Sequence, residues 1–197
     1  MTPLFVSFYT PDYEDCALQL GCDCQRLGVD LQMTRIDHDL GTWMEATYYK
    51  ACFVKSALDH QIMDAYDSLV WIDADARVRS RPNLLYTLDR AECDIAAHHF
   101  NGREFLSGTV WFANNAKARE VVNLWCSYNG SGISCLEQKN LRFAIRDTAD
   151  VRLHELPPEY CFIFDLSARL HPGVVPVVEH FQRSRETRRR EKLCDRH

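Results

Sequence analysis

Ser68-Leu69-Val70-Trp71-Ile72-Asp73-Ala74-Asp75 is the stretch that decides the fold. Its first five residues are nearly all apolar, as in a strand covered on both faces, and a strand of that kind belongs at the centre of an α/β sheet. It then delivers two carboxylates at i and i+2. Unpaired charges at the end of a core strand are costly to desolvate, so something positive is expected beside them. Ligands of open α/β sheets bind at the carboxyl ends of the strands, where Asp73 and Asp75 fall. Hard oxygen donors suit Mg²⁺ or Mn²⁺ better than zinc, and such ions bridge protein carboxylates to substrate phosphates.

Upstream, residues 4–9 read as a buried first strand closed by Thr10-Pro11. A helix is expected next, with Asp12 as its cap, an apolar stripe of Tyr13, Ala17, Leu20, Cys24 and Leu27, and Gly28 as its stop. A second strand over 30–36, a loop at 41–43 and a helix presenting Tyr49, Phe53 and Ala57 on one face lead up to the decisive stretch.

Downstream, the pattern predicts a short helix at 83–88, strands at 93–97 and 105–113, and a helix capped by Asn114 or Asn115 with Ala118, Val121, Val122, Trp125 and Tyr128 on its inner stripe. A helix at 136–145 and strands at 151–156 and 174–179 complete an α/β order with no internal repeat and no low-complexity linker.

Composition sets the limits. The chain has 197 residues, 46% hydrophobic and 26% charged, which suits one globular domain with a continuous core. No stretch approaches the roughly 20 apolar residues of a membrane span, and the start does not read as a secretory signal. Nine cysteines, an odd number scattered through the elements, suit thiols in a reducing cytoplasm better than a disulfide framework. Cys22-Asp23-Cys24 would place its thiols on different sides of a helix and so makes a poor zinc site. The formal charge of −5 is uneven: residues 183–192 hold six basic and two acidic residues, a local +4, leaving −9 for the rest.

Residues 69–76 resemble the Asp-x-Asp motif of the GT-A glycosyltransferases, the nucleotide-diphospho-sugar transferase superfamily, and the likeness extends over most of the chain. It implies an α/β fold: a single GT-A (Rossmann-like) domain over residues 1–182, with a mixed, mostly parallel central sheet flanked by helices, and a basic C-terminal tail over 183–197. The implied activity is that of a metal-dependent, hexosyltransferase-like enzyme that moves a sugar from a nucleoside-diphosphate-sugar donor to an acceptor hydroxyl. Mn²⁺ or Mg²⁺ would sit on Asp73 and Asp75, with Ala74 against the donor and Asp75 essential to transfer. The segment Tyr9-Thr10-Pro11 with Tyr13 is similar to the edge that seats nucleobase and ribose in the family. Lys50 corresponds to a lysine facing the donor phosphates, and Lys55 is expected to face elsewhere. Gly108, within Phe105-Leu106-Ser107-Gly108-Thr109, resembles the segment beside the donor sugar. Glu137 corresponds to the acid that takes the acceptor's proton in inverting members. His180 resembles the histidine that the last strand returns to the cation, and Arg183 and Arg185 just after it are placed to clamp the diphosphate.

A UDP-sugar is the first expectation for the donor, although no residue decides between nucleotides. The acceptor is expected to be a glycan, a lipid-linked sugar or a protein, held in an open cleft or presented by a partner. Small transferases of this kind occur in bacteria and bacteriophages, and hydroxymethylated pyrimidines of DNA are an alternative acceptor that the basic tail would suit. A non-catalytic nucleotide-sugar-binding module is the other alternative. Sugar-phosphate nucleotidyltransferases open with a Gly-rich loop that Tyr9-Thr10-Pro11-Asp12 lacks, and Asp-x-Asp phosphatases carry their motif on the first strand.

Overall fold

The computed structural model describes residues 2–131 and 136–185. β1 (Pro3–Tyr9) opens the chain, and a 3-10 turn at Pro11–Tyr13 leads into α1 (Glu14–Leu27). Asp12, the expected helix cap, lies inside that turn instead, because Pro11 at its first position begins the tight winding earlier. Gly28 ends α1 in the left-handed conformation (φ 62), its N–H shared between the Cys24 and Gln25 carbonyls. Cys22 is exposed and Cys24 buried, so their thiols do face different ways.

After β2 (Leu31–Arg35), α2 (Trp43–Asp59) starts one turn earlier than the hydrophobic pattern suggests. Thr42 and Glu45 form a reciprocal capping box there, so Trp43 is helical rather than part of a loop. The deeply buried face of α2 is Lys50, Ala51, Val54 and Leu58, whereas Tyr49, Phe53 and Ala57 are only partly buried. A pattern of apolar residues passes over this face because a lysine interrupts it, and that lysine can be buried only where carboxylates meet it.

β3 (Ser68–Ile72) is buried along its whole length. It is followed by β4 (Ala76–Val78), α3 (Asn83–Thr87), β5 (Ile95–Phe100), β6 (Glu104–Ala113), α4 (Ala116–Gly130), α5 (Glu137–Asp147) and β7 (Leu153–Glu155). The main sheet has the order β2-β1-β3-β6-β5-β7, with β6 antiparallel to both of its neighbours and the other pairs parallel. The sheet is therefore mixed and mostly parallel. Asn115 caps α4 by accepting from the Ala118 N–H, and Trp125 of that helix stacks on Phe112 of β6 at 6.4 Å in the core.

A second, three-stranded sheet has no counterpart in the sequence reading. β8 (Phe162–Ile163), α6 (Leu166–Leu170) and β9 (Val178–His180) complete the described chain, and β9 lies between β4 and β8. The strand expected over 174–179 shrinks to β9, since Pro176 cannot donate to a ladder. β4 is anchored to α1 by a buried carboxylate: Asp23 accepts from Arg77 Nε at 2.6 Å and Nη2 at 3.3 Å. Burial pushes the Asp23 carboxyl up, but Arg77 and Arg26 outweigh it and hold it below the usual carboxylate range. Among the described residues no helix is long and apolar enough to cross a membrane.

Candidate active site

The carboxyl ends of β1 and β3 open into a cavity of about 810 Å³. β3 is pinned at its end by the Asp73 N–H, which donates to the Gly108 carbonyl at 2.9 Å. Beyond that point the chain turns, the Ala76 N–H bonding back to the Asp73 carbonyl at 3.0 Å, and both aspartates are left beside the cavity. The second sheet brings in the third member. β9 pairs with β4 in a register that places His180 against Ala76, so the histidine arrives next to the aspartates from a residue more than a hundred positions away. One ligand atom from each of Asp73, Asp75 and His180 lies within 4.8 Å of the others.

The electrostatics of the three residues fit a cation. Burial, reinforced by the neighbouring Asp73 charge, pushes the Asp75 carboxyl up from 3.8 to about 6. Its Oδ2 accepts the Arg183 backbone N–H at 2.8 Å, and among the described residues no side-chain cation is paired with it. Burial lowers His180 to about 4, so its imidazole is neutral near pH 7 and able to act as a ligand. Thr109 Oγ1 meets His180 Nε2 at 2.9 Å, which leaves Nδ1 as the nitrogen on the Asp73 side. Gly108 makes the approach possible. A Cβ there would come within 2.9 Å of His180 Cε1, 3.0 Å of Nδ1 and 3.3 Å of Asp73 Oδ2. The glycine is needed by the side chains of the cluster itself.

Behind the cluster lies a buried ionic network. Lys50 Nζ bonds Asp73 Oδ1 and Glu137 Oε1, each at 2.9 Å, and stands 5.2 Å from the centre of the Trp71 ring. Burial works against the Lys50 ammonium, but Asp73 and Glu137 outweigh it and raise its pKa. Trp71 Nε1 donates to the same Asp73 oxygen at 2.8 Å. Ser107 Oγ donates to Glu137 Oε1 at 2.5 Å, and Trp125 Nε1 holds the Glu137 carbonyl at 3.1 Å. Glu137 Oε2 is buried without a hydrogen-bond partner. Burial raises the Glu137 carboxyl above its ordinary value despite the lysine beside it.

The remaining expected residues are placed as follows. Thr10, Tyr13, Ala74 and Arg185 line the cavity, and Tyr13 sits on its wall rather than in the stripe buried beneath α1. Arg183 lies over the Tyr13 ring at 5.6 Å. Arg185 forks onto Asp165 at 2.6 and 3.1 Å, so its guanidinium is already engaged by a carboxylate. Arg183 to Arg185 thus belong to the site, and residues 186–197 of the basic tail lie outside the described residues. Lys55 is half-buried and bonds Asp59, away from the cavity, as its spacing from Lys50 requires. Ser107, Thr109 and Trp71 have site contacts that the sequence reading did not assign. Trp71 had a usable signal, since a residue two before Asp73 on a strand shares its face.

No family model matches the chain, and no curated protein does. Solved structures do. A glycosyltransferase involved in the glycosylation of the major capsid of PBCV-1 superposes with a TM-score of 0.71 at 12% identity, covering 98% of this chain and 100% of that one. The apo form of the glycosyltransferase GlyE of Streptococcus pneumoniae TIGR4 gives 0.65 at 16% identity, covering 92% of this chain and 55% of that one. The bifunctional glycosyltransferase WbbM in its apo structure gives 0.60 at 13%, with 92% and 46% covered. The chain thus spans the full length of the first and about half of the other two. It has the GT-A type glycosyltransferase fold, as the aspartate pair at the end of a buried central strand implied.

Proposed function

We propose that this protein is a metal-dependent glycosyltransferase that uses a nucleoside-diphosphate-sugar donor, a UDP-sugar first among them. The observation that carries the reading is the convergence of Asp73, Asp75 and His180 on the cavity wall, where neutral imidazole and hard carboxylate oxygens suit Mn²⁺ or Mg²⁺. Asp73, Asp75 and His180 would hold the ion, which would supply Lewis-acid charge to the departing diphosphate. Thr10 and Tyr13 would face the nucleoside, with the Arg183 guanidinium over the Tyr13 ring closing that end.

Lys50 works by positioning. Bound to Asp73 and Glu137 at once, it fixes one ligand oxygen and one candidate base in a single strut. Arg185, held by Asp165, orders the wall of the cavity in the same way. Glu137 is the residue we assign to take the proton of the acceptor hydroxyl, because it lines the cavity and its Oε2, enclosed in this structure, is the carboxylate oxygen that neither Lys50 nor Ser107 holds. Transfer with such a base inverts the anomeric carbon. Acceptors remain a glycan, a lipid-linked sugar or a protein. The alternative of hydroxymethylated DNA rests on the basic run at 188–192, outside the described residues.

The test is a panel of nucleotide sugars with and without Mn²⁺, read as thermal shift and as release of nucleoside diphosphate. One donor should raise the melting temperature only with the ion and be hydrolysed slowly in the absence of acceptor. A panel that neither stabilises the protein nor turns over would remove the reading. Stabilisation without turnover under any acceptor would leave a binding module.

A further inference from the structure

A second groove, of about 400 Å³, opens next to the donor cavity and shares Glu104, Leu136 and Gln138 with its lining. The rest of its wall is dominated by cations: Arg103, Lys139 and Arg142. Arg103 stands in the tight turn between β5 and β6, where Asn101 (φ 50) and Gly102 (φ 69) adopt left-handed conformations. The turn is closed by the Arg103 N–H on the Phe100 carbonyl at 3.1 Å. Lys139 and Arg142 are three residues apart on α5 and so share a face. Arg142 Nη1 donates to the Arg103 carbonyl at 3.3 Å, and Gln138 Nε2 donates to Glu104 Oε1 at 2.9 Å, tying the turn and the helix together.

All three cations are exposed, and none is ion-paired among the described residues. Elsewhere Arg35, Lys55, Lys117 and Arg146 each meet a carboxylate. Three free positive groups around one depression, in a chain whose net charge outside residues 183–192 is −9, form a local field of the opposite sign to the rest of the molecule. Leu136 and Gln138, on either side of Glu137, line both the groove and the donor cavity, so a molecule seated in the groove borders the cavity that Glu137 lines.

From this juxtaposition we propose that the groove is the acceptor subsite and that the acceptor is a saccharide unit carrying an anionic group, phosphate or carboxylate, gripped by Arg103, Lys139 and Arg142. Guanidinium forks match both anions, and the volume suits a single sugar residue with its substituent. The proposal rests on the glycosyltransferase reading, and it adds the chemical class of the acceptor.

The test titrates glucose 6-phosphate, glucuronate and glucose into the full chain and into the variant R103A/K139A/R142A, following backbone amide shifts of the 103–105 and 138–142 segments by NMR. Both anionic sugars should bind at least about tenfold more tightly than glucose, with the advantage weakening as salt rises and vanishing in the variant. A preference for one of the two assigns the anion as phosphate or carboxylate. Equal binding of all three sugars, no binding of any, or an unchanged preference in the variant would overturn the proposal. So would a short DNA duplex that binds the segments in preference to both anionic sugars. Donor-dependent thermal shift with Mn²⁺, measured on the same samples, should be equal in wild type and variant and checks folding. If that shift is absent while the anionic sugars still bind, the glycosyltransferase reading fails alone; if it is present and they do not bind, the acceptor proposal fails alone.

Discussion

Two sets of carboxylates border one cavity, and they are neutralised in opposite ways. Glu137 and one oxygen of Asp73 are met from within by Lys50, with Ser107 and Trp71 completing the hydrogen bonds. Asp75 receives one backbone N–H, and its carboxyl is pushed up to about 6 by burial and by Asp73. In the inner set each carboxylate has Lys50 as its counter-charge, and only Glu137 Oε2 is left without a hydrogen-bond partner. The outer set is left with charge that the polypeptide does not balance, and a buried or partly buried charge of that sort is tolerable where a counter-ion joins it.

Removing the internal cation breaks the comparison most severely. Lys50→Met leaves Glu137 and Asp73 facing one another without their shared partner, and should cost about 3–5 kcal/mol of stability in urea unfolding. A loss below about 1 kcal/mol would mean that the network is solvated and not a strut. Gly108→Ala acts on the outer set alone, since its Cβ would displace His180 and crowd Asp73. Mn²⁺ affinity by calorimetry should fall roughly 10- to 100-fold, the range seen when the support of a metal ligand is disturbed, while the melting temperature without ion changes little.

Acidity sharpens the comparison further. Asp75 must lose its proton to bind a cation, so Mn²⁺ affinity should be level above about pH 7 and decline by about tenfold per unit below about pH 6. The sign is opposite for the ion-free protein. A carboxyl whose folded pKa is raised makes a contribution to stability that is present below its unfolded value of 3.8 and is lost as pH rises through about 6, a loss that a bound cation would offset. Affinity that stays flat to about pH 5 would place the ion elsewhere. Thr109→Val has the smallest expected effect, a few-fold weaker Mn²⁺ binding through a less fixed imidazole.

Much of the fold was legible because local rules dictated it. Residues 68–72 form β3 as read, Gly28 stops α1, and Asn115 caps α4. What escaped the sequence reading depends on distant partners. β4, β8 and β9 are two or three residues long, too short to show alternation, yet their pairing is what brings His180 to Asp73. The resemblance names Lys50 as a lysine near the donor phosphates, but its ion-pair partners, 23 and 87 positions away, do not show in the local pattern. The resemblance at residues 69–76 supplied His180 as a residue type at the right end of the chain; the reason it fits, the missing Cβ of Gly108, exists only in three dimensions.

Asp75, with no side-chain cation paired to it among the described residues, is the carboxylate on which binding of the proposed divalent ion depends. Electron paramagnetic resonance of Mn²⁺ titrated into wild type and Asp75→Asn, in the presence of a UDP-sugar, tests it most directly. One bound ion in the wild type and none in the variant, with both proteins equally folded, is the expected result. Equal Mn²⁺ binding by the two proteins, or none by either, would contradict the account.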